Sequence, residues 1–313
     1  MVEKISKFFQ KQPMMRKMLW ALLFVFIFSV FAYGFKVIWL GIWVFTTGVF
    51  VEYLFEKQKR KPVSEAVLVT CMLFLLSLPP NTPFWVAMIG IAFGVAFGKE
   101  VYGGFGRNIF NPAIVGRLFI YITFPNYMTM GWVKPSLFGT DAVSSATPLA
   151  LMRQGESLNI LNLLTGWRAG SIGEGPILII LAAAVYLIVT KTASWRLMIS
   201  TYFSAAALTF LLDVFNVPKA LPTLPAILSG SLVFISVFMA TEPITAPKKI
   251  RSQWIYGIII GITGVIIRTF SLFSEGWSFA ILMGNLFAPL LDEVIKDKKK
   301  KAPVQGQTKK VEA

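Results

Sequence analysis

The sequence predicts an all-α, polytopic membrane protein with about ten transmembrane helices in two inverted repeats of five helices. Of the 313 residues, 56% are hydrophobic and only 14% are charged, whereas soluble globular domains carry about 25% charged residues. Ten apolar segments have, or nearly have, the length that crosses a bilayer. One long polar segment, 125–175, divides them five and five, so the second half begins from the opposite face.

The apolar segments define the expected domain organisation. They lie at 18–34, 37–55, 65–78, 84–98, 109–124, 176–190, 195–213, 221–240, 253–270 and 276–292. The connection 78–83 carries three prolines and cannot be helical throughout. In chain order we expect an N-terminal segment 1–17, a first repeat 18–124, a loop 125–175, a second repeat 176–292 and a basic tail 293–313. The low complexity of this tail is typical of disorder.

The distribution of Lys and Arg predicts the orientation. If both termini lie in the cytoplasm, with the chain spanning the plasma or inner membrane of the cell, most of the 30 basic residues lie on the inner side, which is the usual preference. Loop 125–175 then lies on the outer face. The net charge of +15 does not indicate a nucleic-acid partner, because the basic residues cluster between and beyond apolar segments, where the lipid bilayer presents anionic headgroups.

Residue types that bind transition metals are scarce in this chain. It has no His, and its single Cys71 lies inside an apolar segment. This composition excludes a His-ligated haem, a four-thiolate cluster and a tetrahedral zinc site built by this chain alone. We therefore expect no metal site, and a redox centre that is organic or shared with another subunit.

Loop 125–175 contains a polar stretch, residues 141–149, that ends in a helix start. Thr147 is a good N-cap and Pro148 a good first helical residue, so we expect a short helix through 149–152. A helix N-terminus presents unpaired N–H groups and a partial positive charge, which favour a phosphate. From spacing alone, a phosphoester on the Thr147 hydroxyl and an ordinary helix start are both open alternatives.

The residues before this helix start resemble a known modification site. Asp141, Ser144, Ser145, Ala146 and Thr147 form the pattern D-x-x-S-S-A-T. It is similar to the site where a flavin transferase attaches FMN, through its phosphate, to a Thr in RnfD and NqrB, membrane subunits of ion-pumping redox complexes. The usual form has Gly at the place of Ser145. The resemblance implies FMN bound covalently to Thr147 on the outer face, with these five residues forming the site.

Other stretches resemble the same family. They are 98–113, which is the longest match, 239–243 and 275–292. NqrB more often has Asp at the place of Glu242, which keeps the carboxylate. Residues 108–113 also resemble residues 285–290, as an internal duplication would produce. The resemblance implies a two-repeat helical bundle of the urea-transporter type.

Four charged residues within or beside the apolar segments are functional candidates, because charge inside a membrane is costly. Arg117 lies within the fifth segment and is either neutralised by a nearby carboxylate or an anchor for the flavin or its phosphate. Glu100, Glu242 and Asp292 lie near the predicted inner ends of segments. Carboxylates are the ligands that Na⁺ or a proton relay needs, so these three residues are candidates for an ion pathway.

The resemblance also implies a function. An RnfD-like subunit, not catalytic alone, would carry electrons in a complex that couples ferredoxin:NAD⁺ oxidoreduction to Na⁺ or H⁺ translocation. Its partners would be the other membrane and peripheral subunits of an Rnf-type complex and a flavin transferase, and a second, non-covalent flavin (riboflavin) is compatible with the family.

RnfD is favoured over NqrB because the chain lacks the longer N-terminal region of NqrB and because Pro-Leu-Ala follows Thr147. The alternatives are an NqrB-type subunit, which passes electrons to quinone, and a small-solute channel of the same fold. A solute channel has no use for the D-x-x-S-S-A-T pattern, so this pattern discriminates between the two classes of function.

Overall fold

The computed structural model of the protein describes residues 8–138, 145–271, 273 and 275–295. This part of the chain is mostly helical, with one parallel pair of short strands, β1 (Phe9–Gln10) and β2 (Val63–Ser64). The helices are α1 (Pro13–Tyr33), α2 (Lys36–Gln58), α3 (Ala66–Ser77), α4 (Phe84–Val95), α5 (Pro112–Thr123), α6 (Pro125–Thr129), α7 (Pro148–Arg153), α8 (Ile160–Thr165), α9 (Ile177–Val189), α10 (Trp195–Val214), α11 (Thr223–Leu228), α12 (Leu232–Phe234), α13 (Ile250–Phe270) and α14 (Gly276–Val294). Helices α4 and α12 continue as π-helical turns, Ala96–Glu100 and Ile235–Met239.

Four helices of the described part, α1, α2, α10 and α13, are long and apolar enough to cross a membrane. Only 33–39% of their apolar windows is buried inside the protein. Their outward surfaces carry large apolar side chains such as Trp20, Trp39 and Phe203. Surfaces of this kind suit lipid rather than water, and helices pair their own backbone polar groups, as a bilayer requires. The chain is therefore a multi-pass, mostly helical membrane protein.

Each of the ten predicted apolar segments contains a helix, but the eighth, 221–240, is not a single span. It consists of α11, a break at 229–231, and α12 with its π-helical turn. Gly230 at the break has a φ of +73°, a backbone conformation that favours glycine. All residues from 232 to 239 are buried. This segment therefore ends inside the protein core instead of presenting a continuous face to lipid.

The two halves pack in similar patterns. Helix α4 packs against α2 and α5 in the first half, and α13 packs against α10 and α14 in the second. Glycines permit both close approaches: a Cβ at Gly94 would lie 2.5 Å from the Pro112 carbonyl oxygen, and one at Gly261 would lie 2.0 Å from Ser204 Oγ. A duplicated unit would produce this pattern. The inverted orientation of the repeats, their boundaries and their placement in the membrane stay predictions.

The two stretches that resemble each other in sequence, 108–113 and 285–290, are in direct contact. Asn111 caps α5, because its side-chain oxygen accepts a hydrogen bond from Ala113 N at 3.0 Å. The backbone N–H of Asn111 donates to Asn285 Oδ1 at 3.1 Å. Asn285 in turn donates to Tyr256 Oη at 2.8 Å. This buried network joins α5 of the first half to α13 and α14 of the second.

Candidate cofactor site around Thr147

Thr147 is the N-cap of α7. Its Oγ1 accepts a hydrogen bond from Ala150 N at 3.4 Å, and Pro148 is the first helical residue. The predicted short helix is confirmed, since α7 covers residues 148–153. Thr147 is half-buried, so its side chain is accessible from outside the fold.

Helix α7 is held against the second half of the protein. Leu149 and Met152 are buried in a small apolar cluster with Leu221. Arg153 Nη2 donates to the carbonyl oxygens of Arg268, at 2.7 Å, and Ser271, at 2.9 Å. These contacts fix the position of the Thr147 side chain relative to the end of α13.

Of the other predicted motif residues, Ser145 and Ala146 lie beside Thr147 in the described part. The Ser145 N–H donates to the Trp132 carbonyl oxygen at 3.0 Å, and its buried Oγ has no partner among the described residues. Ala146 is exposed. Asp141 and Ser144 lie outside the described residues.

A cavity of about 40 Å³ lies beside Thr147, large enough for a few water molecules. Its lining includes polar and charged side chains from several elements: Arg117 of α5, Thr147, Glu174, Arg268 of α13, Glu275 and Trp277 of α14. The size suits a small polar group and not a ring system. The cavity therefore has the dimensions and the charge for the anionic end of a larger ligand.

Arg117 is neutralised by a carboxylate. Its Nε donates to Glu275 Oε2 at 2.7 Å, its Nη2 donates to Glu275 Oε1, and Ser278 Oγ donates to Glu275 Oε2 at 3.0 Å. Both charged side chains are buried. Of the two alternatives that the sequence left open, this geometry shows the first. Arg117 Nη1 still has no partner within the described part of the chain, so a role toward the flavin stays a prediction.

A second arginine, Arg168, lies next to the cavity in the segment before α9. Its Nη1 is 3.4 Å from Glu174 Oε1, and its Nη2 is 3.4 Å from the Gly230 carbonyl oxygen. Burial lowers the pKa of Arg168, and the negative charge of Glu174 opposes that shift. This residue joins the 166–176 connection to the break in the eighth segment.

Arg268 was missed as a site residue in the sequence. It is buried near the end of α13, and its guanidinium carbon lies 5.7 Å from the centre of the Trp277 ring. Among residues 8–138, 145–271, 273 and 275–295, no carboxylate lies within ion-pair distance of it. The criterion applied to Arg117, a charge inside an apolar segment, also identifies Arg268 in segment 253–270.

The ion-pathway candidate Glu100 belongs to a cluster of charges around the π-helical turn after α4. Glu100 Oε2 accepts a hydrogen bond from Lys59 Nζ at 2.7 Å. The neighbouring Lys99 is buried, forms an ion pair with Glu52 of α2, and donates to Ser64 Oγ at 2.7 Å. Glu100 is therefore one member of a paired network rather than an isolated carboxylate.

The other two candidates have different environments. Asp292 accepts hydrogen bonds from Lys248 N, at 2.7 Å, and Lys249 N, at 3.2 Å, so it holds the start of α13. Glu242 accepts a hydrogen bond from Thr245 Oγ1 at 3.0 Å, and burial raises its pKa to about 7. Within the described residues no hydrogen bond or ion pair joins Glu100, Glu242 and Asp292 to one another, so the structure does not assemble them into one site.

Known proteins share most of this sequence. The sequence model of the NQR2, RnfD, RnfE family matches residues 5–301. A membrane-complex relative from Pseudomonas aeruginosa, named as a subunit of the Na(+)-translocating NADH-quinone reductase, is 37% identical over 263 residues, which are 80% of this chain and 64% of the relative. The corresponding subunits from Azotobacter vinelandii and Klebsiella pneumoniae are 36% and 35% identical. The chain spans 64% of the length of these relatives.

Proposed function

Because the chain belongs to the NQR2, RnfD, RnfE family, we propose that it is an electron-transfer subunit with FMN esterified through its phosphate to Thr147. The complex would be RnfD-like and would couple ferredoxin:NAD⁺ oxidoreduction to Na⁺ or H⁺ translocation. The observation that carries this proposal is the Thr147 hydroxyl at the edge of a cavity lined by buried guanidinium groups.

The residues around the cavity fit a phosphate-linked group. A phosphodiester is an anion, and Arg117 and Arg268 supply cationic donors at the cavity wall. Two buried donor atoms there, Arg117 Nη1 and Trp277 Nε1, have no partner in the described part of the protein. Buried donors normally have partners, so oxygen atoms of a ligand are the natural explanation for these two.

In this proposal the chain contributes position and electrostatics. Thr147 would hold the phosphate, and α7 keeps Thr147 in place through Leu149, Met152 and Arg153. The isoalloxazine ring supplies the redox chemistry when it is bound. Because the cavity beside Thr147 is too small for a ring system, the ring would lie outside it, open to a neighbouring redox subunit.

The proposal includes partners. A flavin transferase would attach the FMN, and the other membrane and peripheral subunits of the complex would deliver and accept electrons. The carboxylates Glu100, Glu242 and Asp292 stay candidates for the ion pathway, and a second, non-covalent flavin stays a prediction from the resemblance.

The test of this proposal is intact-mass analysis of the purified chain after co-expression with a flavin transferase. The wild-type protein should carry the mass of FMN and give in-gel flavin fluorescence. Thr147→Ala should lose both completely while the protein remains inserted in the membrane, and Thr147→Ser should retain some attachment because it keeps a hydroxyl. Thr165→Ala, in the same loop, is the matched control and should behave as wild type. An unmodified wild-type chain would refute the proposal.

An NqrB-type subunit is the second candidate, because the relatives at 35–37% identity are named as subunits of a Na⁺-translocating NADH-quinone reductase. Both candidates use the same Thr147 chemistry. Purification of the native complex and assay of two reactions, reduced ferredoxin with NAD⁺ and NADH with quinone, discriminates between them. A solute channel is favoured only if Thr147 is unmodified.

A further inference from the structure

We infer that Arg268, together with the indole N–H of Trp277, recognises the phosphate that links the flavin to Thr147. The inference rests on the proposed function and names the residues that bind the anionic part of its ligand. Both side chains line the same cavity as Thr147. Neither is part of the D-x-x-S-S-A-T pattern, from which they are separated by more than a hundred positions.

The three arginines at the cavity differ in charge compensation. Arg117 donates through two nitrogens to Glu275, and Arg168 forms an ion pair with Glu174. Arg268 has no carboxylate within ion-pair distance among the described residues. Burial of an uncompensated guanidinium is costly, and an anionic ligand would compensate it. The excess positive charge of the cavity therefore lies at Arg268.

The guanidinium of Arg268 is held in a defined slot. Trp277 lies on one side, in a cation–π arrangement at 5.7 Å. Gly230 lies against it as well, because a Cβ at this glycine would be 2.6 to 3.0 Å from three guanidinium atoms. Only glycine leaves room there, and its φ of +73° also favours glycine. The plane of the guanidinium is thus fixed before any ligand binds, which suits a phosphate with its fixed geometry.

Trp277 provides the second donor. Its side chain is only 3% exposed, and its Nε1 has no partner within the described part of the chain. The indole packs against Gly264, where a Cβ would lie 2.2 Å from the ring, so the ring position is also fixed. An oxygen of a phosphodiester would satisfy this N–H. Two fixed donors and one positive charge match a group with two free oxygens and one negative charge.

The inference is tested on the full chain, co-expressed with limiting flavin transferase. Arg268→Gln should lower the flavin-loaded fraction measured by intact mass about tenfold. In the loaded protein, kept in a phosphorus-free detergent, the ³¹P resonance of the phosphodiester should shift in Arg268→Gln and, by less, in Trp277→Phe, which keeps the ring and removes the N–H. Arg251→Gln changes the same charge at the opposite end of α13 and is the matched control; it should leave both readouts unchanged.

If Arg268→Gln fails to insert, Arg268→Lys and Trp277→Phe decide the question, since both preserve most of the packing. Arg268→Lys should give an intermediate ³¹P shift. Loading and ³¹P resonances identical to wild type in the folded variants would overturn the inference while leaving covalent FMN at Thr147 intact. A loading defect of Arg268→Gln that is restored by adding Asp141→Asn would also overturn it, because Arg268 would then serve that carboxylate. An unmodified wild-type Thr147 would overturn both proposals together.

Discussion

Two clusters of largely buried charges in this protein have opposite balances. The first, which we call the Lys99 cluster, contains three carboxylates and two lysines: Glu52, Glu56, Glu100, Lys59 and Lys99. The second surrounds the Thr147 cavity and contains three arginines and two carboxylates: Arg117, Arg168, Arg268, Glu174 and Glu275. The predicted topology places the two clusters on opposite faces of the membrane.

The difference indicates which ligand each region suits. Buried charges are tolerated when they are paired or when a ligand compensates them. The Lys99 cluster has one carboxylate in excess and suits a cation, whereas the Thr147 cavity has one guanidinium in excess and suits an anion. A protein that carries an anionic cofactor on one side and admits cations on the other would need this asymmetry.

The largest expected effect separates the two clusters by stability and flavin content together. Glu275→Gln leaves Arg117 without its carboxylate, and Lys99→Met leaves Glu52 without its cation. Breaking a buried pair on one side costs about 3–5 kcal/mol, so both variants should unfold well below the wild type in a thermal scan in detergent. Only Glu275→Gln should also change flavin loading, because only this pair lies at the cavity.

The control for this comparison is the double variant Arg117→Met with Glu275→Leu. Replacing both members of a buried pair by apolar residues of similar volume is often close to neutral, so it should recover most of the lost stability. An equal loss of flavin in Glu275→Gln and Lys99→Met would show that the two clusters are not separate in function.

A smaller effect concerns ion coupling. We expect Glu100→Gln and Glu242→Gln to slow ion-coupled turnover of the assembled complex by about tenfold, or ~1.4 kcal/mol, because each removes a carboxylate from the face with excess negative charge. Flavin loading should stay at the wild-type level. The measurement is ion uptake into vesicles alongside in-gel fluorescence. Glu156→Gln, an exposed carboxylate on the predicted opposite side, is the control, and unchanged uptake in both test variants would remove them from the pathway.

The smallest expected effect is a pH dependence at Glu242. Burial raises its pKa to about 7, while the Thr245 hydrogen bond and the charge of Lys99 oppose the shift. An unfolded chain has a glutamate pKa of about 4.3, so the folded protein binds this proton more tightly. The free energy of unfolding should therefore fall as pH rises from about 4.3 to about 7 and then level off.

This dependence is measured by comparing thermal unfolding of the wild type and Glu242→Gln at about pH 5 and about pH 8. The difference between the two pH values should shrink in the variant. An identical difference in both proteins would mean that Glu242 is ionised throughout the range. In that case it would join the paired carboxylates of the Lys99 cluster instead of serving as a titrating group.

The sequence alone predicted those features that depend on neighbouring residues. Ten apolar segments each contain a helix, since runs of apolar side chains are local. The start of α7 at Pro148 was predicted for the same reason, because a cap is formed by a side chain and a backbone N–H three residues away. The break at 229–231 was not predicted, because the composition around Gly230 remains apolar enough to be read as a continuous span.

Only the tertiary structure decided which charged residue has which partner. Arg117 and Glu275 are 158 positions apart, and no spacing rule connects them. Arg117 and Arg268 look alike in sequence, each a single arginine within an apolar segment. They differ because α14 brings a carboxylate to the first and an indole ring to the second, and charge compensation depends on which helices pack together in space.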